Sequence, residues 1–155
     1  MSSIYNSCDA FHKAPFGAVR AGQAVTFTLR VPAEFGCTAP RLVLHRDGEA
    51  PAPFVLHSAG GADGRDLFTI TLPMPQPGLY FYYFDLYTGY RKLYRGALGE
   101  AYVTTGTGEE YQLTVYEAGF ATPQAIKGGV MYQIFPDRFF EGRPKPMPFA
   151  DRIYR

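Results

Sequence analysis

Apolar and polar residues alternate in short runs along most of this chain. Over residues 22–32 (GQAVTFTLRVP), Val25, Phe27, Leu29 and Val31 fall on one side and Ala24, Thr26, Thr28 and Arg30 on the other. A period of two predicts a strand with one wetted face. The run 41–46 (RLVLHR) places Leu42 and Leu44 on one side and ends at the turn signal Asp47-Gly48. A short apolar run follows at 53–58 (PFVLHS), then GGADG at 60–64, which reads as a loop tip. Phe68, Ile70 and Leu72 alternate with Thr69 and Thr71 over 66–72. After the Pro77-Gly78 turn, residues 79–86 are almost wholly aromatic or aliphatic, so both faces of that strand are expected to be covered at least in part. Thr88-Gly89 makes the next turn, 91–95 reads as a short return strand, 104–108 as a Gly- and Thr-rich loop, and 110–117 as the last strand of the series. No window sustains a helical period with caps at both ends. Phe27, Leu29, Phe68, Ile70 and Leu113 are the expected core.

Short strands at a spacing of ~8–12 residues predict an immunoglobulin-like β-sandwich, and residues 1–117 are assigned to it. Residues 118–127 (AGFATPQAIK) are small, polar and broken by proline, and read as a linker. The composition then shifts, and a strand is expected from about Val130 to Phe135, stopped by Pro136.

Composition supports the β reading. The 155 residues include 13 Phe and 12 Tyr but no Trp, and aromatic side chains suit pleated, half-buried surfaces. Apolar residues make up 46%, enough for a core. The net charge is +1 with no basic run, which disfavours nucleic acid as a partner. No stretch of ~18 apolar residues suggests a membrane span. The start, MSSIYNSCDAFHK, lacks a signal-like apolar region, and Cys8 and Cys37 are expected to be reduced thiols, so a cytoplasmic location is expected.

The segment GGVMYQIFPDRFFEG carries the sharpest motif. Tyr132, Gln133, Ile134, Phe135, Pro136, Asp137, Arg138 and Phe139 resemble the opening strand of the catalytic (β/α)8 barrel in glycoside hydrolase family 13, the α-amylase family. They are closest in pattern to its neopullulanase, cyclomaltodextrinase and maltogenic amylase branch. That branch carries an N-terminal sandwich similar to carbohydrate-binding module family 34, and PGLYFYYFDLY is similar to the late strands of such modules. The resemblance implies an all-β fold: a sandwich, a linker, and, over 128–155, the first strand of a truncated barrel.

Barrel enzymes work at the C-terminal ends of their strands, which is where Asp137 and Arg138 fall. The resemblance gives them a part in orienting loops or holding sugar, not in bond cleavage. Retaining hydrolysis needs two carboxyl groups ~5–5.5 Å apart, and the family places them on later strands. No catalytic residue is therefore expected within these 155 residues. Asp137 and Glu141 do not make such a pair, because Pro136 and Gly142 break any shared helical face.

Relatives often follow this motif with a calcium loop. Here FEGRPKPMP supplies Glu141 and then positive charge, so no calcium site is carried over and no cofactor is expected. His12, His45 and His57 do not have metal-ligand spacing.

Two roles are open for Tyr87, Tyr90 and Tyr94 around the Thr88-Gly89 turn. They stack on glucose rings, or they fill the sandwich core or its seam with the barrel. The leading reading of the whole is the N-terminal part of an α-glucan hydrolase acting on α-1,4 or α-1,6 bonds of maltooligosaccharides, cyclodextrins or pullulan, itself inactive. The alternatives are a stand-alone glucan-binding module and a structural domain that forms a homodimer.

Overall fold

The alternation over 22–32 becomes the longest ladder of the computed structural model, which describes residues 3–135. Its strands are β1 (Lys13–Ala14), β2 (Val19–Arg20), β3 (Ala24–Pro32), β4 (Arg41–Arg46), β5 (Ala52–Val55), β6 (His57–Ala62), β7 (Arg65–Pro73), β8 (Gly78–Asp85), β9 (Lys92–Arg95), β10 (Ala101–Thr104) and β11 (Tyr111–Tyr116). They make a four-stranded sheet in the order β1-β3-β7-β6 and a seven-stranded one in which β10-β9-β8-β11-β2 is joined by β4 on β8 and β5 on β4. In the first sheet, Phe27 faces Ile70 and Leu29 faces Phe68 across the β3–β7 ladder. All five expected core residues are buried.

Strand β8 is the hub of the larger sheet. It pairs with β4 through residues 80–85, with β11 through 78–82 and with β9 through 84–85. A strand has two edges, so β9 and β11 share one, end to end, and β4 holds the other. Alternation then sends Tyr80, Tyr82 and Phe84 inward and Leu79, Phe81, Tyr83 and Asp85 outward. Tyr82 and Phe84 of that set meet Tyr5 and Tyr111 in an aromatic cluster. Tyr82 stacks on Tyr111 at 5.1 Å, and Tyr5 lies edge-on to Tyr111 at 5.0 Å. The Tyr5 and Tyr82 hydroxyls, both buried, are 2.7 Å apart, and the Tyr111 hydroxyl donates to the carbonyls of Tyr94 and Glu100. Each polar tip is thereby satisfied in an apolar interior.

Six segments differ from the sequence reading. The run 53–58 is not one strand. It breaks at buried Leu56, whose N–H donates to the Pro40 carbonyl, as the chain passes from the larger sheet to the smaller. GGADG is only partly a loop tip, because residues 60–62 belong to β6. The turn is Asp63-Gly64, with φ of 54° and 72°. Positive φ at both central residues matches the twist of a two-residue hairpin. β1, β2 and β10 join the fold although nothing in the pattern marked them. Residues 130–135 carry no strand, since extended backbone becomes a strand only when a neighbour takes up its N–H and C=O groups, and no ladder among the described residues does so.

Residues Met1–Phe120 and Ala121–Arg155 are two compact units. The described part of the second contains a single 3-10 turn, Gln124–Ile126. No helix among the described residues is long and apolar enough to cross a membrane.

Candidate functional site

The outward face of the seven-stranded sheet gathers the chemistry. Along β8 it presents Phe81, Tyr83 and Asp85; β4 adds Arg41, Val43 and His45; β9 adds Lys92 and Tyr94; β10 adds Tyr102 and Thr104. Among the described residues, no further sheet lies over this face, and its aromatic groups pack against one another. Tyr83 stacks on Tyr94 with centroids 4.8 Å apart and planes at 19°. His45 stacks on Phe81 at 5.6 Å, and its Nε2 lies 2.9 Å from Glu110 Oε2. The Lys92 ammonium is 5.7 Å above the Tyr83 ring. Burial, and after it the charges of Asp85 and Glu110, raise the Tyr83 phenol above its ordinary pKa. Burial also raises Tyr94. Both hydroxyls therefore remain neutral donors.

At one end of this face, residues 86–91 join β8 to β9 in a loop built on an uncommon backbone. Tyr87, Gly89 and Tyr90 have φ of 54°, 56° and 56°. A left-handed conformation is ordinary for glycine and an outlier for a bulky aromatic residue. The loop is pinned from several sides. The Tyr87 N–H donates to Asp85 Oδ1 at 2.8 Å, and the Thr88 hydroxyl donates to the Phe35 carbonyl at 3.1 Å. The Leu86 N–H donates to the Arg91 carbonyl at 2.9 Å, and the Arg91 guanidinium sits 4.6 Å over the Phe35 ring.

The consequence is that Tyr87 and Tyr90 are held out of the fold, 65% and 86% exposed. Arg41 covers one face of Tyr87 at 4.0 Å and so fixes that ring. The two tyrosines, Asp85, Gly89, Lys92 and Thr105 line an open cleft of about 500 Å3. Two buried nitrogens of the same sheet face, Arg41 Nε and His45 Nδ1, have no hydrogen-bond partner. Such groups are uncommon inside folded proteins.

The three tyrosines singled out in the sequence therefore separate. Tyr87 and Tyr90 share the cleft. Tyr94 does not belong with them as a stacking residue open to solvent: it points outward from β9 but is 4% exposed, with a ring face covered by Tyr83. Of the motif residues, Tyr132 is 78% exposed and Phe135 51% exposed, with Gln133 exposed between them. Pro136, Asp137 and Arg138 lie outside the described residues.

Sequence reasoning missed Arg41, Phe81, Asp85 and Lys92. Their signal was available in retrospect, since each takes the outward parity of its strand. No three His, Cys, Asp or Glu side chains among the described residues cluster to hold a metal. Cys8 and Cys37 are free thiols, and burial pushes the Cys37 thiol up to about 11. An apolar pocket of about 380 Å3 opens at the opposite end of β4 and β8, lined by Leu44, Phe54, Leu72, Met74 and Tyr80 among others.

No family model matches the chain. It is similar to three curated proteins, each named amylopullulanase. One from Thermoanaerobacterium saccharolyticum is 34% identical over 160 residues, covering 89% of this chain and 11% of that protein. One from Thermoanaerobacter thermohydrosulfuricus is 32% identical, covering 89% and 10%. One from Thermoanaerobacterium thermosulfurigenes is 35% identical, covering 89% and 8%. The chain thus spans about a tenth of the length of these relatives.

Proposed function

We propose that this chain is a non-catalytic β-sandwich of an α-glucan-hydrolysing enzyme of the α-amylase family, with residues from 128 onward opening the catalytic barrel. On this reading, the Tyr87–Tyr90 edge holds a segment of the glucan. The observation that carries the enzyme class is the similarity to amylopullulanases across 89% of the chain. The barrel-opening residues Tyr132, Gln133, Phe135, Pro136, Asp137 and Arg138 agree with it. In the protein that contains this sandwich, catalytic carboxylates are assigned to later barrel strands.

The geometry supports a sugar-holding role for the edge. A glucose ring has apolar C–H faces and a polar rim of hydroxyls. It therefore suits exposed aromatic faces flanked by a carboxylate and an ammonium, as Asp85 and Lys92 flank the two tyrosines. Arg41 occupies one face of Tyr87, which leaves the other for the sugar. Holding two bulky residues at positive φ costs on the order of 1–3 kcal/mol each. That expense is intelligible if it fixes the rings in advance of binding.

The test is titration of the 155-residue chain with linear maltooligosaccharides, alongside a reducing-sugar assay. Saturable binding that Tyr90→Ala weakens about tenfold or more, with no release of reducing ends, is the expected result. Absence of binding in the unaltered chain removes the sugar-holding role. Steady hydrolysis that survives repurification removes the non-catalytic one.

A further inference from the structure

The same outward face carries another concave site, some distance from the tyrosine edge. A cavity of about 550 Å3 is lined by Ser7, Phe81, Arg95, Glu109, Glu110 and Gln112. Phe81 is its aromatic wall, and one face of that ring is backed by the His45 imidazole. The polar groups are arranged as pairs. Arg95 Nη1 donates to Glu109 Oε1 at 2.6 Å, and His45 Nε2 lies 2.9 Å from Glu110 Oε2. Two carboxylates at the rim disfavour an anion. Both carboxylates already have cationic or N–H partners, so the site offers a cation little more. Ser7 and Gln112 add neutral donors and acceptors. A neutral polyhydroxylated ring with one apolar face meets each of these conditions.

We infer that this cavity is a second glucan site, and that it and the Tyr87–Tyr90 cleft hold one chain between them. The inference takes its ligand class from the function proposed above. Phe81 lies four residues before the end of β8 at Asp85, roughly 13 Å at ~3.3 Å per residue, and the loop that carries Tyr87 begins just beyond that end. The floor between them is aromatic: the stacked Tyr83–Tyr94 pair, with Tyr102, 58% exposed, opposite Tyr94 on β10. A chain that engages both ends binds the second intramolecularly. Its affinity then exceeds that of either site by a large factor without any new contact. The sandwich would thereby prefer long glucans to the short products of hydrolysis.

The experiment compares two ligands on the intact 155-residue chain by calorimetric titration. Maltotriose is short enough to occupy one site at a time, and a linear maltodextrin is long enough to span both. The unaltered chain is expected to take two maltotrioses but one maltodextrin, the latter at least about tenfold more tightly. Tyr90→Ala and Gln112→Ala should each leave one maltotriose site and each abolish the gain from length. Gln112 is exposed, so its truncation leaves the core intact. Phe81→Leu, which keeps an apolar side chain but removes the ring, should act as Gln112→Ala does. A single maltotriose site lost in Tyr90→Ala and unaltered by Gln112→Ala and Phe81→Leu overturns the second site while leaving the proposed function standing. No binding of either ligand to the unaltered chain overturns both. Two sites with no gain from length overturn the shared chain.

Discussion

The paired hydroxyls of Tyr5 and Tyr82 show how much rests on single atoms in this core. Both rings are fully buried, and each oxygen lies 2.7 Å from the other. Tyr82→Phe leaves the Tyr5 hydroxyl buried and without that partner, an expected loss of ~1–3 kcal/mol. Tyr5→Phe with Tyr82→Phe removes both polar atoms and should cost less than the sum of the two single changes, because no hydroxyl is then left unpaired. Urea midpoints of the two single variants and the double variant measure this directly. Additive losses would mean that the hydroxyls do not depend on each other. Tyr82 was legible in the sequence as part of the aromatic run at 79–86. Tyr5 was not, because residues 3–7 show no alternation and enter the core through non-local pairing, with the Ser7 N–H on the Gly99 carbonyl and the Ala101 N–H on that of Tyr5. The same blindness hid the ring contacts of the outward face. Period two says that Phe81 and Tyr83 share a side, but which neighbours cover them depends on register, and register is set by several strands at once.

Legibility followed pattern as well as length. β3, β7, β8 and β11 have six to nine residues and show their period; β1 and β2 have two, too few for any period to appear. β9 and β10 have four each, and β9 alone was read, from its place after the Thr88-Gly89 turn; β6 has six, but its Gly-rich sequence reads as a loop. The loop at 86–91 was recognised as a turn from Thr88-Gly89, but the left-handed backbone at Tyr87 and Tyr90 contradicts residue preference, so sequence could not have supplied it. Such a conflict between local preference and structure is where function is expected to reside. It also makes a prediction. Tyr90→Gly relieves a conformational cost of ~1–2 kcal/mol against an entropy penalty of ~0.5–1 kcal/mol. The variant should therefore be as stable as the parent or up to about 1.5 kcal/mol more stable, while glucan binding falls. A fall in thermal midpoint on the scale of a core truncation would show that Tyr90 supports the fold instead of being supported by it. The turn at Asp63-Gly64 offers the opposite case: Gly64 has φ of 72°, and Gly64→Ala should cost ~1–2 kcal/mol, read as a lower urea midpoint.

At the scale of the molecule, one aromatic core closes two sheets, and its stability should respond at both ends of the pH range. Burial lifts the phenols of Tyr5, Tyr82 and Tyr111 well above their usual value. The unfolded chain gives up these protons above pH ~10, so stability is intact below that value and lost as pH rises past it. Phenolate absorbance of the buried tyrosines should accordingly emerge together with unfolding, after the exposed ones have titrated. His12 works in the other direction. Its Nδ1–H donates to the Thr28 carbonyl, and burial holds its pKa below the ordinary one. Its contribution is complete above pH ~6.5 and fades as pH falls, since the unfolded chain takes the proton first. His12→Gln should flatten the acid limb of a urea-midpoint curve and leave the alkaline limb unchanged. Phe27→Ala, by comparison, should cost ~3–5 kcal/mol at any pH.

One pairing of the larger sheet bears on how the fold is assembled. Strand β2 lies parallel to β11, with Val19 beside Val115, and Val19 is fully buried. On a ribosome adding ~5–20 residues per second, Val19 waits on the order of ten seconds for its neighbour to be made. Until then β2 has no strand to pair with; the four-stranded sheet has all its strands once Pro73 is made, but the seven-stranded sheet, and with it the closed sandwich, is a late product of translation.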